Sequence, residues 1–111
     1  MNEKCSYLNF IKEKGRNISE INPGSDEIGL KVNDALKGIE LLKNERVPIL
    51  GGDILSDETG ELAYTYENWY CDQNPDENQF DYVDRSYEYA MNYLSNIAKK
   101  NKNDLYVVIV V

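Results

Sequence analysis

The stretch Pro48-Ile-Leu-Gly-Gly-Asp-Ile-Leu-Ser-Asp-Glu-Thr-Gly-Glu-Leu-Ala-Tyr-Thr-Tyr-Glu-Asn-Trp-Tyr-Cys-Asp72 decides the fold. Ile49-Leu50 and Ile54-Leu55 are apolar pairs of strand character, interrupted by Gly51-Gly52. Glu61 to Tyr70 alternates and is rich in aromatic and β-branched residues, and the polar Ser56-Asp-Glu-Thr-Gly60 between the two runs is turn chemistry. The pair therefore reads as an antiparallel hairpin. Alternation puts Leu62, Tyr64 and Tyr66 on one face of the second strand and Thr65, Glu67 and Trp69 on the other. Tyr66 and Tyr70 do not share a face with Trp69, so part of this aromatic cluster is expected at the surface. Glycines inside a strand mark a bulge or a close approach by a neighbour. Here the neighbour is expected to be the Trp69 ring or a tyrosine of the paired strand, with Asp53 bonding local amides to fix the bulge.

Working outward, the apolar positions Val32, Ala35, Leu36, Ile39 and Leu42 follow helical spacing and predict a helix from Val32 to about Arg46, which Pro48 terminates. Phe80, Val83, Tyr87, Ala90, Met91, Leu94, Ile97 and Ala98 form one stripe and predict a longer helix over roughly Gln79 to Lys100, capped by Asp76 or Asn78. Tyr82, Tyr89 and Tyr93 form a second stripe on that helix, suited to flanking the core or meeting a partner. Lys4 to Lys14 predicts a short helix ended by Gly15, and Asn22 to Leu30 is turn chemistry. Leu105 to Val111 has no polar alternation and reads as a strand buried on both faces. The sum is an α+β domain: a small, mainly antiparallel sheet of about three strands, the hairpin plus the C-terminal strand, packed against two or three helices. If the last strand lies beside the Pro48 strand, the Tyr/Trp strand is an edge.

With 111 residues, 41% of them hydrophobic and 29% charged, and no repeat or low-complexity tract, residues 1–111 are expected to form a single domain. The N-terminal residues carry no continuous apolar run of signal-peptide length and no segment approaches a membrane span, so a cytoplasmic location is expected. Cys5 and Cys71 lack metal spacing and are expected as free thiols there.

The net charge of −8 is unevenly spread. Asp53 to Glu88 contains eleven acids and one base, Arg85, a net −10, whereas the remainder has eleven bases and nine acids. That distribution argues against nucleic acid or an anionic membrane as partner and favours a cationic protein surface. Histidine is absent, which removes the usual general base and the commonest transition-metal ligand. An enzyme would have to run on carboxylates such as Asp53, Glu67 and Asp72 converging in a pocket, and neither a phosphate-binding glycine motif nor a calcium-loop spacing is present. We expect no catalytic residue, no metal and no cofactor.

Thr65 to Asp72 mixes Tyr66, Trp69 and Tyr70, residue types that dominate binding hot spots, with Glu67 and Asp72, charges suited to a basic partner. Glu67, Trp69, Tyr70, Asp72 and Asp76 are the candidate partner-binding residues. Gly51, Gly52, Asp53 and Asn68 are candidates for a structural motif. Two placements of Trp69 satisfy the pattern, the core and the surface.

The residues Asp34-Ala-Leu-Lys-Gly-Ile-Glu-Leu-Leu-Lys-Asn-Glu-Arg-Val-Pro-Ile-Leu-Gly-Gly-Asp-Ile-Leu55, followed by Ala63-Tyr-Thr-Tyr-Glu-Asn-Trp-Tyr-Cys-Asp72, resemble the bacterial polymorphic-toxin immunity proteins, most of all the Immunity protein 40 family. Gly51, Gly52, Asp53, Tyr66, Asn68, Trp69 and Tyr70 carry the resemblance, which runs from about Glu27 to Asp72. It implies a cytoplasmic, non-enzymatic protein, typically encoded beside a toxin, that binds the toxin domain and blocks it. Many such toxins are nucleases with basic grooves, which an acidic inhibitor would suit. The implied partner is a cognate toxin, bound by a monomer or homodimer. The alternative function is a self-associating structural or regulatory module, with Val107 to Val111 as an uncovered edge.

Overall fold

The computed structural model describes residues 4–21, 23–24, 27–100 and 105–111. Its elements in chain order are helix α1 (Lys4–Lys14), strand β1 (Arg16–Asn17), a 3-10 turn (Ile18–Glu20), strand β2 (Ile28–Lys31), helix α2 (Val32–Asn44), strands β3 (Gly51–Ser56) and β4 (Ala63–Tyr70), helix α3 (Gln79–Ala98) and strand β5 (Leu105–Val110). The expected α+β class is observed, with three helices and a fully antiparallel sheet. The sheet, however, has five strands in the order β1-β2-β5-β3-β4 rather than about three. The two additional strands are short, and what makes them strands is pairing: β2 lies along β5, with Leu30 opposite Val107, and β1 along β2. Of the turn expected over Asn22 to Leu30, Asn22, Ser25 and Asp26 lie outside the described residues, and Ile28 onward is β2.

β5 is central, hydrogen-bonded to β2 on one side and β3 on the other, and Leu105 to Val108 are buried. Its two faces separate two apolar clusters. Leu105 and Val107 join Leu30, Ile54 and Trp69 beneath the helices, where Tyr7 of α1, Ile39 and Leu42 of α2, and Ala90 and Leu94 of α3 complete the main core. Tyr106 and Val108 face the other way and, with Leu55, Leu62 and Ile18, form a smaller cluster. The helices cover one face of the sheet; the 3-10 turn and Leu62 cover only part of the second.

Helix ends follow local chemistry. Asn78 caps α3, its Oδ1 accepting from the Asp81 amide at 2.8 Å. α2 ends with paired bonds from the Val47 amide to the Leu42 carbonyl and from the Arg46 amide to the Lys43 carbonyl. This end puts Arg46 at φ 59°, a position usually given to glycine. Arg46 is kept there by its ion pair with Asp84 at 2.9 Å and by stacking 4.2 Å from the centroid of the Phe80 ring. Phe80, placed by periodicity in the buried stripe, is therefore exposed and covered by a cation. In the core, Ser86 Oγ accepts from the Ile49 amide at 3.0 Å and donates to the Val83 carbonyl at 3.0 Å, joining the start of the hairpin to α3.

Candidate binding surface on the open sheet face

The hairpin pairing fixes the site. Gly51 lies opposite Tyr70 on one side and Val110 on the other, while Asp53 lies between Asn68 and Val108. The side chains of these rows face away from the helices. A shallow hollow of about 150 Å³ opens over Gly51 between Tyr70 and Val110, with Leu50, Asp53 and Asp72 on its walls. Tyr70 is 71% exposed, and Leu50 and Val110 are also exposed. The hollow thus joins an aromatic ring and two aliphatic groups to two carboxylates, both without an ion pair among the described residues.

The glycines have separate roles. Gly52 faces the helices opposite Trp69, and a Cβ there would overlap the far end of the indole ring; Gly51 is packed so closely on the Trp69 carbonyl that a Cβ would overlap it too. This is the close approach expected from sequence, and the ladder through both glycines is regular. The irregularity lies further along. Asp53 pairs with Asn68 and Leu55 with Tyr64, so Ile54 alone opposes Thr65, Tyr66 and Glu67. Thr65, rather than Asp53, holds this bulge: its hydroxyl donates to the Ile54 carbonyl at 2.8 Å and accepts from the Glu67 amide at 3.2 Å.

The loop after β4 is held to α3 by Arg85. Its guanidinium grips both Glu77 carboxylate oxygens at 2.7 Å, donates to the Asp72 carbonyl at 2.6 Å and reaches Cys71 Sγ at 3.2 Å. Tyr82 adds a hydroxyl donated to the Cys71 carbonyl at 2.6 Å. Hydrogen bonding to Arg85 holds the Glu77 carboxyl below the usual carboxylate range, and burial raises the Cys71 thiol above its ordinary value. Cys71 is a buried free thiol. The one base of the acidic segment is thus consumed internally, leaving Asp72 and Asp76 exposed on a fixed loop.

The sequence candidates divide accordingly. Tyr70 and Asp72 come together at the hollow, joined by Asp53, and Asp76 stands exposed on the neighbouring loop. Trp69, expected among the partner-binding residues, is 2% exposed and stacks on Tyr93 with ring centroids 5.0 Å apart. It belongs to the core because its strand position points under the helices, so it supports the surface from behind. Glu67 lies on that same side and pairs with Lys100 at 2.7 Å. Asp53 and Glu67 therefore line different hollows and do not form a carboxylate pair. Asn68 is exposed opposite Asp53. Leu50 and Val110 were read only as strand hydrophobes; their exposure follows from lying at the end of the sheet, which no periodicity reports.

The family model of Immunity protein 40 matches residues 17–111, extending well beyond the stretch that carries the resemblance by motif. The chain belongs to the Immunity protein 40 family. No curated protein and no solved structure shows a match to it. Membership of an immunity-protein family points to toxin neutralisation by binding, a role that is generally non-enzymatic. Among the described residues of this Immunity protein 40 member no helix is long and apolar enough to cross a membrane. Its family match covers strands β2 to β5 and the second residue of β1, so the hollow over Gly51 and the Arg85-held loop both fall inside the matched region.

Proposed function

We propose that this Immunity protein 40 member neutralises a cognate toxin by docking the open end of its sheet and the adjoining acidic loop against a basic face of the toxin domain. Tyr70, Leu50 and Val110 supply the apolar contact, and Asp53, Asp72 and Asp76 the charge. The observation that carries this reading is the hollow over Gly51, where exposed apolar groups meet two carboxylates that have no ion pair among the described residues. Among the described residues, four of the eleven acids between Asp53 and Glu88 are in ion pairs, those of Asp57, Glu67, Glu77 and Asp84. The field left over is negative and suited to steering a basic partner, including a nuclease groove.

The alternative of self-association through an uncovered last strand loses its edge, because β5 is paired on both sides. The test is the double substitution Tyr70→Ala with Asp72→Lys, both exposed and outside the core. It is expected to leave the melting temperature within about 2 °C and to lower protection of cells expressing the toxin. Full protection by the double variant would show that the surface is misassigned.

A further inference from the structure

Tyr66 is the most exposed large apolar side chain among the described residues, at 89%, and it occupies the left-handed region with φ 66°. For a bulky aromatic that conformation is costly, and glycine or asparagine would adopt it more readily. An exposed ring contributes little burial to offset the strain. The bulge itself has a plain structural use, since interrupting edge strand β4 discourages edge-to-edge pairing. That use accounts for the backbone and not for the tyrosine. Thr65 fixes the distortion through its two hydrogen bonds, so the ring is carried on an ordered backbone. Beside it, Thr65 and Glu67 line a hollow of about 200 Å³ with Ser56, Glu58, Lys100 and Leu105. Lys100 Nζ rests on Glu67 Oε1 there, an internal example of a cation held at this spot.

We infer that Tyr66 is an anchor residue that inserts into the basic toxin domain, with the exposed Glu58 carboxylate near it receiving a lysine or arginine of that domain. The inference rests on the toxin-binding reading above and extends the interface from the hollow over Gly51 along edge strand β4. Thr65 is a positioning residue that keeps the ring projected. Residues of this kind carry a large share of binding energy when their rings enter a partner's pocket.

The test uses the full chain and, as probe, the purified cognate toxin domain, with affinity measured by calorimetry. Tyr66→Gly and Tyr66→Asn both tolerate the left-handed backbone, so each is expected to retain or raise the melting temperature while weakening toxin binding about 30-fold or more. Thr65→Ala is expected to weaken binding less, with tyrosine still present. A melting temperature that falls in both Tyr66 variants, or an affinity within threefold of the parent, would overturn the inference. If Tyr70→Ala with Asp72→Lys abolishes binding while the Tyr66 variants bind normally, the anchor is refuted and the toxin-binding surface stands. If neither set affects binding, both readings fall.

Discussion

Gly52→Ala tests the packing on which the whole hairpin rests. The added methyl would overlap the Trp69 ring and would lie 2.7 Å from the Val108 carbonyl oxygen of β5. Neither neighbour has room to retreat: the indole is 2% exposed and backed by Tyr93, and Val108 belongs to the central strand. Overpacking a filled core costs about 1–3 kcal/mol, and the rigidity on both sides puts this site near the upper end. At about 4 °C per kcal/mol for a domain of this size, the melting temperature should fall by roughly 10 °C. Urea unfolding followed by circular dichroism gives the free energy directly, and emission of the single tryptophan reports whether the ring has moved. Adding Trp69→Leu should relieve part of the penalty, so the double variant should be about 1 kcal/mol more stable than the sum of the single losses implies. A Gly52→Ala protein within 0.5 kcal/mol of the parent, or strictly additive losses, would refute the claim that the indole forbids a side chain at position 52.

Two further predictions concern buried polar groups. Ser86→Ala leaves the Ile49 amide without its acceptor in a fully buried site and should cost about 1–3 kcal/mol in urea unfolding, whereas Ser86→Thr restores much of that loss if the added methyl is accommodated. Burial, with a smaller contribution from Glu45, pushes the Tyr7 hydroxyl up to about 12 from 10.0. The neutral phenol is thus favoured in the folded state, so its contribution is complete below pH 10 and is lost as pH rises towards 12, a loss of order 2 kcal/mol. Alkaline unfolding monitored at the phenolate absorbance should show this phase, and Tyr7→Phe should remove it.

Much of the fold was legible because it rests on local periodicity and punctuation. α1 ends at Gly15, α3 begins after Asn78, and the Ser56 to Gly60 turn joins two antiparallel strands, as spacing and turn chemistry indicate. The face assignment within β4 also survives the bulge for a simple reason. Two extra residues, rather than one, are inserted opposite Ile54, so alternation resumes in phase and Trp69 still opposes Tyr64 in facing. What sequence could not show are features created by distant pairing. β1 and β2 have two and four residues and become strands through β5. Arg46 at a helix end and Tyr66 in a strand adopt positive φ without glycine, held by Asp84 and Phe80 in one case and by Thr65 in the other. At the candidate site, the chemical types around Tyr70 and Asp72 were readable, but the hollow depends on the strand register that sets Gly51 between residues 70 and 110. Trp69 was ambiguous because hot-spot and core chemistry favour the same side chain.

The position of β5 has a consequence for biosynthesis. The strand joining β1-β2 to β3-β4 is the last of the five along the chain. While its residues remain inside a ribosome, the two strand pairs have no strand to bridge them, and the surface over Gly51 lacks the wall supplied by Val110. The nascent chain therefore cannot present the finished candidate surface in stages. If the surface over Gly51 is the one that meets the toxin, as proposed, protection would begin only after residue 110 has emerged and paired, and the time between synthesis and closure of the sheet would set how quickly a cell becomes immune.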